Sequence, residues 1–317
     1  MNYQEFLAYV KENILEYLDF EPDAVVEVHT LIKNNGISMD GLSVRRPGEL
    51  MAPNIYLNPF YTEYESGRDA EEILADIARR YRTYQRRVDV DPDDIADFDK
   101  VQERIVLRVV GFEANKEQLL NCPYIMLQDM AITFRWLVSM EPCGIATVQI
   151  TNKEQKKWGV SLEDLYTLAL ENTRRIFPPQ IKPLGSMLVG YLEEVVESGS
   201  MDKEQVDEVQ EEIAEYIASE SSQPPLYVLT NTIGINGATC IVYKDILEEF
   251  SARLGYNLYI LPSSIHELIL IPDNGEFDPK EMHKMVHEAN TTVVCPGDVL
   301  TDSVYYYNRE EATLKKI

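Results

Sequence analysis

Cysteine and histidine, the side chains that most often bind metals or move protons near neutral pH, are scarce in this chain of 317 residues. The sequence has 4 Cys and 4 His, and no two cysteines stand at the C-x-x-C spacing of zinc sites and redox motifs. Neither a zinc ribbon nor a disulfide framework is therefore indicated. Isolated thiols beside 10 Met are typical of a reduced cytoplasmic protein, and we expect each cysteine to pack in the core.

Positive charge is also in deficit. The chain has 29 Lys and Arg against 54 Asp and Glu, which gives a formal net charge of −25. Because proteins bind phosphate backbones and anionic membranes through Lys and Arg, this balance disfavours direct nucleic-acid binding and a membrane location. An acidic surface more often provides solubility than it mimics a polyanion.

Long apolar runs are absent as well, and a helix that spans a membrane needs about 20 such residues. The longest runs are interrupted by Asp129, Arg135 and Glu267. The first residues lack the basic region, apolar stretch and small-residue cleavage site of a signal peptide. We therefore expect a cytoplasmic protein that does not enter a membrane.

The spacing of the apolar residues predicts an α+β fold, in which mainly antiparallel sheets are covered by helices. Residues 130–138 alternate between apolar and polar side chains, which is the period of a half-buried strand. The sequence Asn-Asn-Gly at 34–36 lies between two extended segments and indicates a hairpin turn, because these residues tolerate positive φ. We also expect a strand at 54–60 and helices at 240–254 and 279–290.

Two parts are expected because 317 residues exceed the usual size of one hydrophobic core. Pro178, Pro179 and Pro183 follow a predicted helix, and prolines in this position end a helix and mark a boundary. We therefore predict an N-terminal α+β part, residues 1–177, packed closely against a C-terminal α+β part, residues 178–317.

Three segments, at 158–172, 261–272 and 299–308, carry a resemblance to a known family. Together they resemble a family of uncharacterised proteins common in Gram-positive gut anaerobes, and the sequence Pro-Ser-Ser-Ile-His-Glu at 262–267 is the most specific part. The first segment also resembles, more distantly, an uncharacterised Bacillus-type cytoplasmic family. The likeness is clearest from about residue 145 to the end of the chain. It implies a bacterial cytoplasmic setting and transfers no activity and no site residue.

His283 and His287 are the strongest candidates for a metal site, since three of the four histidines lie within residues 266–287. The two stand four residues apart on a predicted helix and can share one metal ion, as in the HExxH motif. The intervening residues 284–286 are Lys, Met and Val, so the catalytic glutamate of that motif is missing and a lysine opposes a cation. We favour boundary or surface histidines, and no metal is expected.

This helix should pack on the neighbouring sheet through Met282, Met285 and Val286, because the connection from the preceding strand is short. The two helical histidines then lie beside the buried stripe, at the margin of the sheet or in solvent. His266 begins the preceding strand. We predict that the three imidazoles do not share a site of metal-binding dimensions.

His266 and Glu267 directly follow Ser263 and Ser264, a set of residue types found in hydrolases. Adjacent residues on a strand point to opposite faces, and neither serine lies in a G-x-S-x-G sequence. We interpret the serines as part of a hairpin turn and His266 as a structural residue or a pocket liner.

Two further features are typical of phosphate binding. Arginines and tyrosines alternate within residues 79–87, but the acidic run that follows them favours internal ion pairing. The segment 231–237 links a predicted strand to a predicted helix, where phosphate-binding loops occur. It fits neither G-x-x-x-x-G-K-[ST] nor G-x-G-x-x-G, so we interpret it as a strand-to-helix turn.

Three hypotheses for the function follow. The favoured one is a non-enzymatic binding or accessory protein of the cytoplasm, without a cofactor, whose acidic helices contact a protein partner. The second is a metal-dependent hydrolase that uses His283 and His287. In that case His266 is a further ligand, with Glu267 or Glu288. The third is a mimic of a polyanion, in which the acidic helix at 202–215 occupies a nucleic-acid site on a basic partner.

Overall fold

The computed structural model describes residues 1–18, 23–47, 52–84, 91–141, 144–198, 203–219 and 226–317. In this part of the chain, helices accompany three antiparallel sheets. The predicted α+β class is therefore confirmed.

The first sheet belongs to an N-terminal unit with its own hydrophobic cluster. Its strands are β1 (Val25–Ile32), β2 (Ser38–Arg45) and β3 (Ile55–Tyr56), in the order β1-β2-β3, and its helices are α1 (Tyr3–Asn13), α2 (Asn58–Glu65) and α3 (Ala70–Tyr84). Asn35 (φ 61°) and Gly36 (φ 69°) form the predicted turn between β1 and β2. The strand expected at 54–60 ends at Tyr56, because the proline in the first turn of α2 favours a helix start.

Asp76 on α3 is the buried centre of an ion-pair cluster in this unit. Its carboxylate lies 2.5 Å from Nη2 of Arg79 and 3.2 Å from Nη1 of Arg68, and its side chain is 6% exposed. Burial alone would raise the pKa of Asp76, but the hydrogen bonds from Arg79 and Arg68 and the charge of Arg80 outweigh it and lower the pKa. Arg79 and Arg80 are thus paired internally, but their partner is Asp76, which precedes them, and the expectation of pairing with the acidic run that follows is not met for these two residues. Arg86 and Arg87 lie outside the described residues.

Stability should depend on pH through Asp76. The folded-state pKa lies below the unfolded value of about 3.9, so the carboxylate stabilises the fold above about pH 4. This contribution is lost as the pH falls through the folded value. We expect Asp76→Asn to be less stable than wild type at neutral pH and to lose less stability on acidification, as measured by urea unfolding. Glu117→Gln, at an exposed position, is the control, and equal pH dependence in wild type and Asp76→Asn would contradict the assignment.

The middle sheet is built around its longest strand. It contains β4 (Ile105–Gly111), β5 (Tyr124–Leu127), β6 (Met130–Glu141) and β7 (Gly144–Gln149), and β6 pairs with each of the others. The helices around it are α4 (Phe98–Val101), α5 (Lys116–Leu119), α6 (Asn152–Trp158) and α7 (Leu162–Ile176). The predicted alternation at 130–138 is present, with Phe134 and Trp136 in the core and Arg135 on the opposite face.

The outer edge of β4 is completed by side chains instead of by another strand. The backbone N–H of Leu107 donates to the Thr173 hydroxyl at 2.8 Å, and that of Val109 donates to the Thr239 hydroxyl at 3.2 Å. The side-chain amide of Asn172 donates to the Ile105 carbonyl at 3.0 Å. These bonds satisfy backbone groups that an edge strand otherwise leaves unpaired.

The third sheet has the order β13-β12-β10-β11-β9-β8. Its strands are β8 (Pro179–Pro183), β9 (Tyr227–Asn231), β10 (Leu258–Pro262), β11 (Leu268–Pro272), β12 (Tyr305–Asn308) and β13 (Thr313–Lys316), and the helices are α8 (Leu184–Ser198), α9 (Lys203–Ser219), α10 (Lys244–Leu254) and α11 (Pro279–Thr292). The helix expected at 240–254 begins only at Lys244. Residues 237–242 form a fully buried 3-10 turn, and Tyr243 has an extended backbone that separates this turn from α10.

The middle and third sheets share one hydrophobic cluster, which includes Leu107 and Phe134 of the middle sheet with Leu258 and Leu270 of the third. The residues next to the predicted boundary at 177 and 178 enter the third sheet, where β8 pairs with β9. The division of the chain into 1–177 and 178–317 stays a prediction.

The cysteines differ from the expectation that all of them are in the core. Cys122 and Cys240 are buried, whereas Cys295 is exposed. Cys143 lies outside the described residues. Within the part of the chain that is described, no helix combines the length and the hydropathy required to cross a bilayer.

Candidate functional site

The histidines near the C-terminal end have separate partners. His283 Nε2 lies 2.8 Å from the Ile317 carbonyl, and His287 Nδ1 lies 3.4 Å from a carboxylate oxygen of Asp302. His266 accepts a hydrogen bond at Nδ1 from the backbone N–H of Asn236, at 3.1 Å. Among the described residues, no three His, Cys, Asp or Glu side chains are arranged to hold a metal ion.

The buried stripe of α11 is narrower than expected. Met282 is 2% exposed and Val286 is 4% exposed, and both join the cluster with Tyr259 of β10. The inclusion of Met285 is wrong, since this side chain is 60% exposed. Met282 and Val286 follow each other at i and i+4 and so form a single seam, while Met285 lies to one side of it. His283 lies half-buried at the other side of the seam.

The serines before His266 form the turn of the β10–β11 hairpin. The backbone N–H groups of Ser263 and Ser264 both donate to the Glu267 carbonyl at 3.3 Å. The Ser263 hydroxyl donates to the Glu267 carboxylate at 3.2 Å, and the Ser264 hydroxyl accepts from the His266 N–H at 2.9 Å. Glu267 therefore has its partner within the turn.

A different group of residues forms a polar cleft beside β4. Arg108 of β4 lies opposite Thr133 of β6, and Arg135 of β6 lies opposite Val106 of β4. Such diagonal positions of an antiparallel pair share one face of the sheet and are about 7–8 Å apart. Alternate positions of both strands face the core. The two guanidinium groups therefore emerge side by side on the face that is turned away from the core.

Arg135 is held by neutral acceptors. Its Nε donates to the Thr147 hydroxyl at 2.7 Å, one Nη donates to the Gln149 side-chain carbonyl at 2.8 Å, and the other donates to the Thr147 carbonyl at 3.3 Å. Burial and the neighbouring charge of Arg108 lower the pKa of Arg135 to about 9. The guanidinium is still positively charged at neutral pH, and it lacks a counter-charge in contact with it among the described residues.

Arg108 is less well satisfied. Its Nε is buried and has no hydrogen-bond partner among the described residues. Burial lowers the pKa of Arg108, and the charge of Asp298 opposes this effect without an ion pair between the two. A buried cationic group without a partner is unfavourable unless an anion, an ordered water or another acceptor completes its hydrogen bonds.

The walls of the cleft add further polar groups. Its lining includes Thr147, Phe177, Asn236, Cys240 and Tyr243, and it has room for about one water-sized group. The hydroxyl of Tyr243 is buried without a hydrogen-bond partner in the described structure. Burial raises the pKa of the Cys240 thiol to about 12, so it stays protonated and is not a nucleophile at neutral pH.

The predicted strand-to-helix turn at 231–237 forms one wall of this cleft. Asn231 shapes the turn, because its side chain accepts from the N–H groups of Ile233 and Gly234 and donates to the Ile235 carbonyl. Asn236 has a left-handed backbone with φ 53°. The N–H of Asn236 is directed at His266 Nδ1, which leaves the ring proton of the neutral histidine on Nε2, 3.5 Å from Asp298.

The site offers hydrogen-bond donors and positive charge to a ligand. Arg108, Arg135 and Tyr243 can all donate to an oxygen or a halide. These three residues were not predicted as a site from the sequence, although the sequence contains one signal for the arginines. An arginine occupies an outward position in each of two neighbouring apolar strands, at residue 108 in Ile-Val-Leu-Arg-Val-Val and at residue 135 in Ile-Thr-Phe-Arg-Trp-Leu.

One known protein family matches nearly the whole chain. Residues 3–309 match a family of unknown function, DUF5688. The chain belongs to the DUF5688 family. No curated protein and no solved structure matches this DUF5688 chain. The predicted membership in an uncharacterised family is thus confirmed, and the expected origin in Gram-positive gut anaerobes stays a prediction.

Proposed function

We propose that this DUF5688 protein acts by binding, and that the cleft of Arg108 and Arg135 holds a small anion or the carboxylate or phosphate group of a small metabolite. The observation that carries the proposal is the buried Arg108 Nε, which has no acceptor in the described structure. A planar guanidinium offers two parallel N–H donors, which match the paired oxygens of carboxylates and phosphates.

The size and the charge of the surroundings define the class of ligand. The cleft has room for about one water-sized group, such as a single oxygen atom of a ligand, so the rest of a ligand lies outside the cleft. The chain as a whole carries a formal charge of −25, and such a field repels polyanions. These two properties favour a small anion of low charge over a nucleic acid.

We further propose that the protein works in the cytoplasm with a protein partner. This proposal is supported by the excess of 54 acidic over 29 basic side chains and by the concentration of exposed carboxylates on α9. In this role the bound anion adjusts the protein's stability and conformation, and no chemical reaction is required.

The anion cleft can be tested by ligand-dependent stability. Urea unfolding of wild type should shift to higher urea concentration as inorganic phosphate or acetate is added at constant ionic strength. A ligand at 100 times its dissociation constant stabilises a folded protein by about 2.7 kcal/mol. Arg108→Met is expected to abolish this gain. Without added anion it should be at least as stable as wild type, since it removes a buried unpaired charge.

The control for general salt effects is Arg309→Met, which removes an arginine at an exposed position. This variant should gain as much stability from phosphate or acetate as wild type does. If Arg108→Met gains the same amount as Arg309→Met, the anion acts elsewhere and the assignment of the cleft is wrong.

A further inference from the structure

Strand β1 lies at an edge of the first sheet, and one of its two sides is unpaired. The N–H of Lys33 donates to the Ile37 carbonyl at 2.7 Å and continues the register of the β1–β2 pair. Because backbone groups of an antiparallel strand point to its two sides alternately, those at the odd positions 25–31 face β2. The backbone groups that face outward belong to Val26, Val28, Thr30 and Ile32. Within the described ranges of the chain, they have no hydrogen-bond partner.

Three other edge strands are protected against pairing with a further strand. The edge of β4 is completed by threonine and asparagine side chains. Strand β8 begins with Pro179 and ends with Pro183, and proline lacks the N–H donor. On β13, the Leu314 carbonyl accepts from the side-chain amide of Gln128 at 3.0 Å. Strand β1 has 8 residues without a proline or a lysine, so it keeps a row of free donors and acceptors.

The sequence of β1 is complementary to itself in one antiparallel register. Two copies of the chain related by a two-fold axis can pair their outward groups with Val28 on the axis. Glu27 of each copy then lies opposite His29 of the other, where the carboxylate can accept a hydrogen bond from the imidazole. Exposed residues of opposite charge, Asp23 and Lys33, flank the strand, so each end of one copy meets the oppositely charged end of the other.

The neighbouring registers lack this complementarity. If the axis moves by one residue toward the N-terminus, Glu27 lies opposite Glu27, and like charges directly opposite each other destabilise a strand pair. If it moves by one residue toward the C-terminus, His29 lies opposite His29. Of these three registers, which use the same outward backbone groups, only the one centred on Val28 places an acceptor opposite a donor.

We infer that two copies of this chain pair through β1, in the register centred on Val28, and join their first sheets into one continuous sheet. Val25 is 49% exposed and Ile32 is 58% exposed in the single chain. In the pair they lie opposite Leu31 and Ala24 of the other copy, so both gain apolar neighbours. The inference goes beyond the proposed function and depends on neither the anion cleft nor a second protein.

Sedimentation velocity of the full chain tests the pairing. Wild type should change from monomer to dimer between about 1 and about 200 µM, because a contact through one strand pair is small and binds weakly. Thr30→Pro should stay monomeric over this range, since it removes an outward N–H and places a ring at the edge. Thr30→Ala loses the same hydroxyl, which donates to Asp40, but keeps the N–H and should associate as wild type does.

The register is tested by charge. His29→Glu places two carboxylates opposite each other at both symmetric contacts and should weaken the association about tenfold. His287→Glu makes the same change at an exposed position of α11 and should leave the association unchanged. Combining His29→Glu with Glu27→Lys should restore it, because opposite charges face each other again. A wild type that stays monomeric, equal association of His29→Glu and His287→Glu, or no recovery in the combined variant would overturn the pairing through β1.

Discussion

Replacing Gly237 with alanine is expected to destabilise the protein by about 3 kcal/mol, because the new methyl group has no room. A Cβ atom at this position would lie 2.1 Å from the Thr230 hydroxyl, 2.4 Å from the His266 carbonyl and 2.9 Å from the Asn231 nitrogen. Two of these neighbours are backbone atoms. The 3-10 turn at 237–242 would have to move away from the β10–β11 turn.

Urea unfolding measures this effect as a lower midpoint. Gly297→Ala is the matched control, since a Cβ atom there meets no other atom within 4 Å and its φ is not in the left-handed region. It should change the stability by no more than about 0.5 kcal/mol. Equal stability of Gly237→Ala and Gly297→Ala would contradict the close packing of this turn.

Asn231→Ala is expected to cost about 2–3 kcal/mol, because it removes three hydrogen bonds from a buried side chain. The amide of Asn231 donates to the Ile235 carbonyl at 2.8 Å and accepts from Ile233 at 3.0 Å and Gly234 at 2.9 Å. The residue is 3% exposed, so water cannot replace these bonds without entering the fold. The turn that forms a wall of the arginine cleft should loosen, and stabilisation by phosphate or acetate should decrease as well.

Asn274→Ala provides the comparison. Asn274 also shapes a turn, since its side chain accepts from the Glu276 N–H at 3.1 Å, but it is half-exposed. Water can form hydrogen bonds with the groups that lose the Asn274 side chain as a partner, so a loss of stability of about 0.5 kcal/mol is expected. If Asn231→Ala and Asn274→Ala lose the same stability, or if anion binding is unaffected by Asn231→Ala, the role assigned to the 231–237 turn is wrong.

Elements determined by neighbouring residues could be predicted from the sequence. The alternation at 130–138 gives a strand because each side chain's face follows from its position, and the turn at 34–36 follows from residues that tolerate positive φ. The capping box at the start of α1 is likewise local, since Asn2 and Glu5 stand three residues apart. In each case the decisive interaction lies within a few residues.

Features determined by distant contacts could not be predicted. Met285 fits the helical period as well as Val286 does, and its exposure depends on how much of α11 the sheet covers. The start of α10 depends on residues 237–242, which are buried as a 3-10 turn between two other elements. These outcomes are decided by tertiary packing, which propensity and periodicity do not contain.

The candidate site also depends on distant contacts and could not be predicted from the sequence. Arg108 and Arg135 come together through strand pairing, while Asn236 and Tyr243 reach the same cleft from a later part of the chain. The histidines were the candidates from the sequence because their residue type binds metals, whereas the buried group without a hydrogen-bond partner is an arginine in an apolar strand. Only the structure reveals that Arg108 lacks a partner, since burial and hydrogen bonding are properties of the folded state.

The side-chain hydrogen bonds along the outer edge of β4 form late during synthesis of the chain. The N–H of Leu107 is paired only after Thr173, 66 residues later, has been added, and the N–H of Val109 only after Thr239, 130 residues later. A ribosome adds about 5–20 residues per second, so β4 spends on the order of 10 s in the cell with part of its edge incomplete. The hydrophobic cluster of the N-terminal unit ends at Tyr81, so this cluster can close without such a delay. The β1–β2 turn of the unit completes its hydrogen bonds only later, since Asn34 donates to the Gly297 carbonyl and Asn35 donates to the carbonyls of Pro296 and Val299. Synthesis of the chain thus leaves the edge of β4 and this turn incomplete after the first hydrophobic cluster has closed.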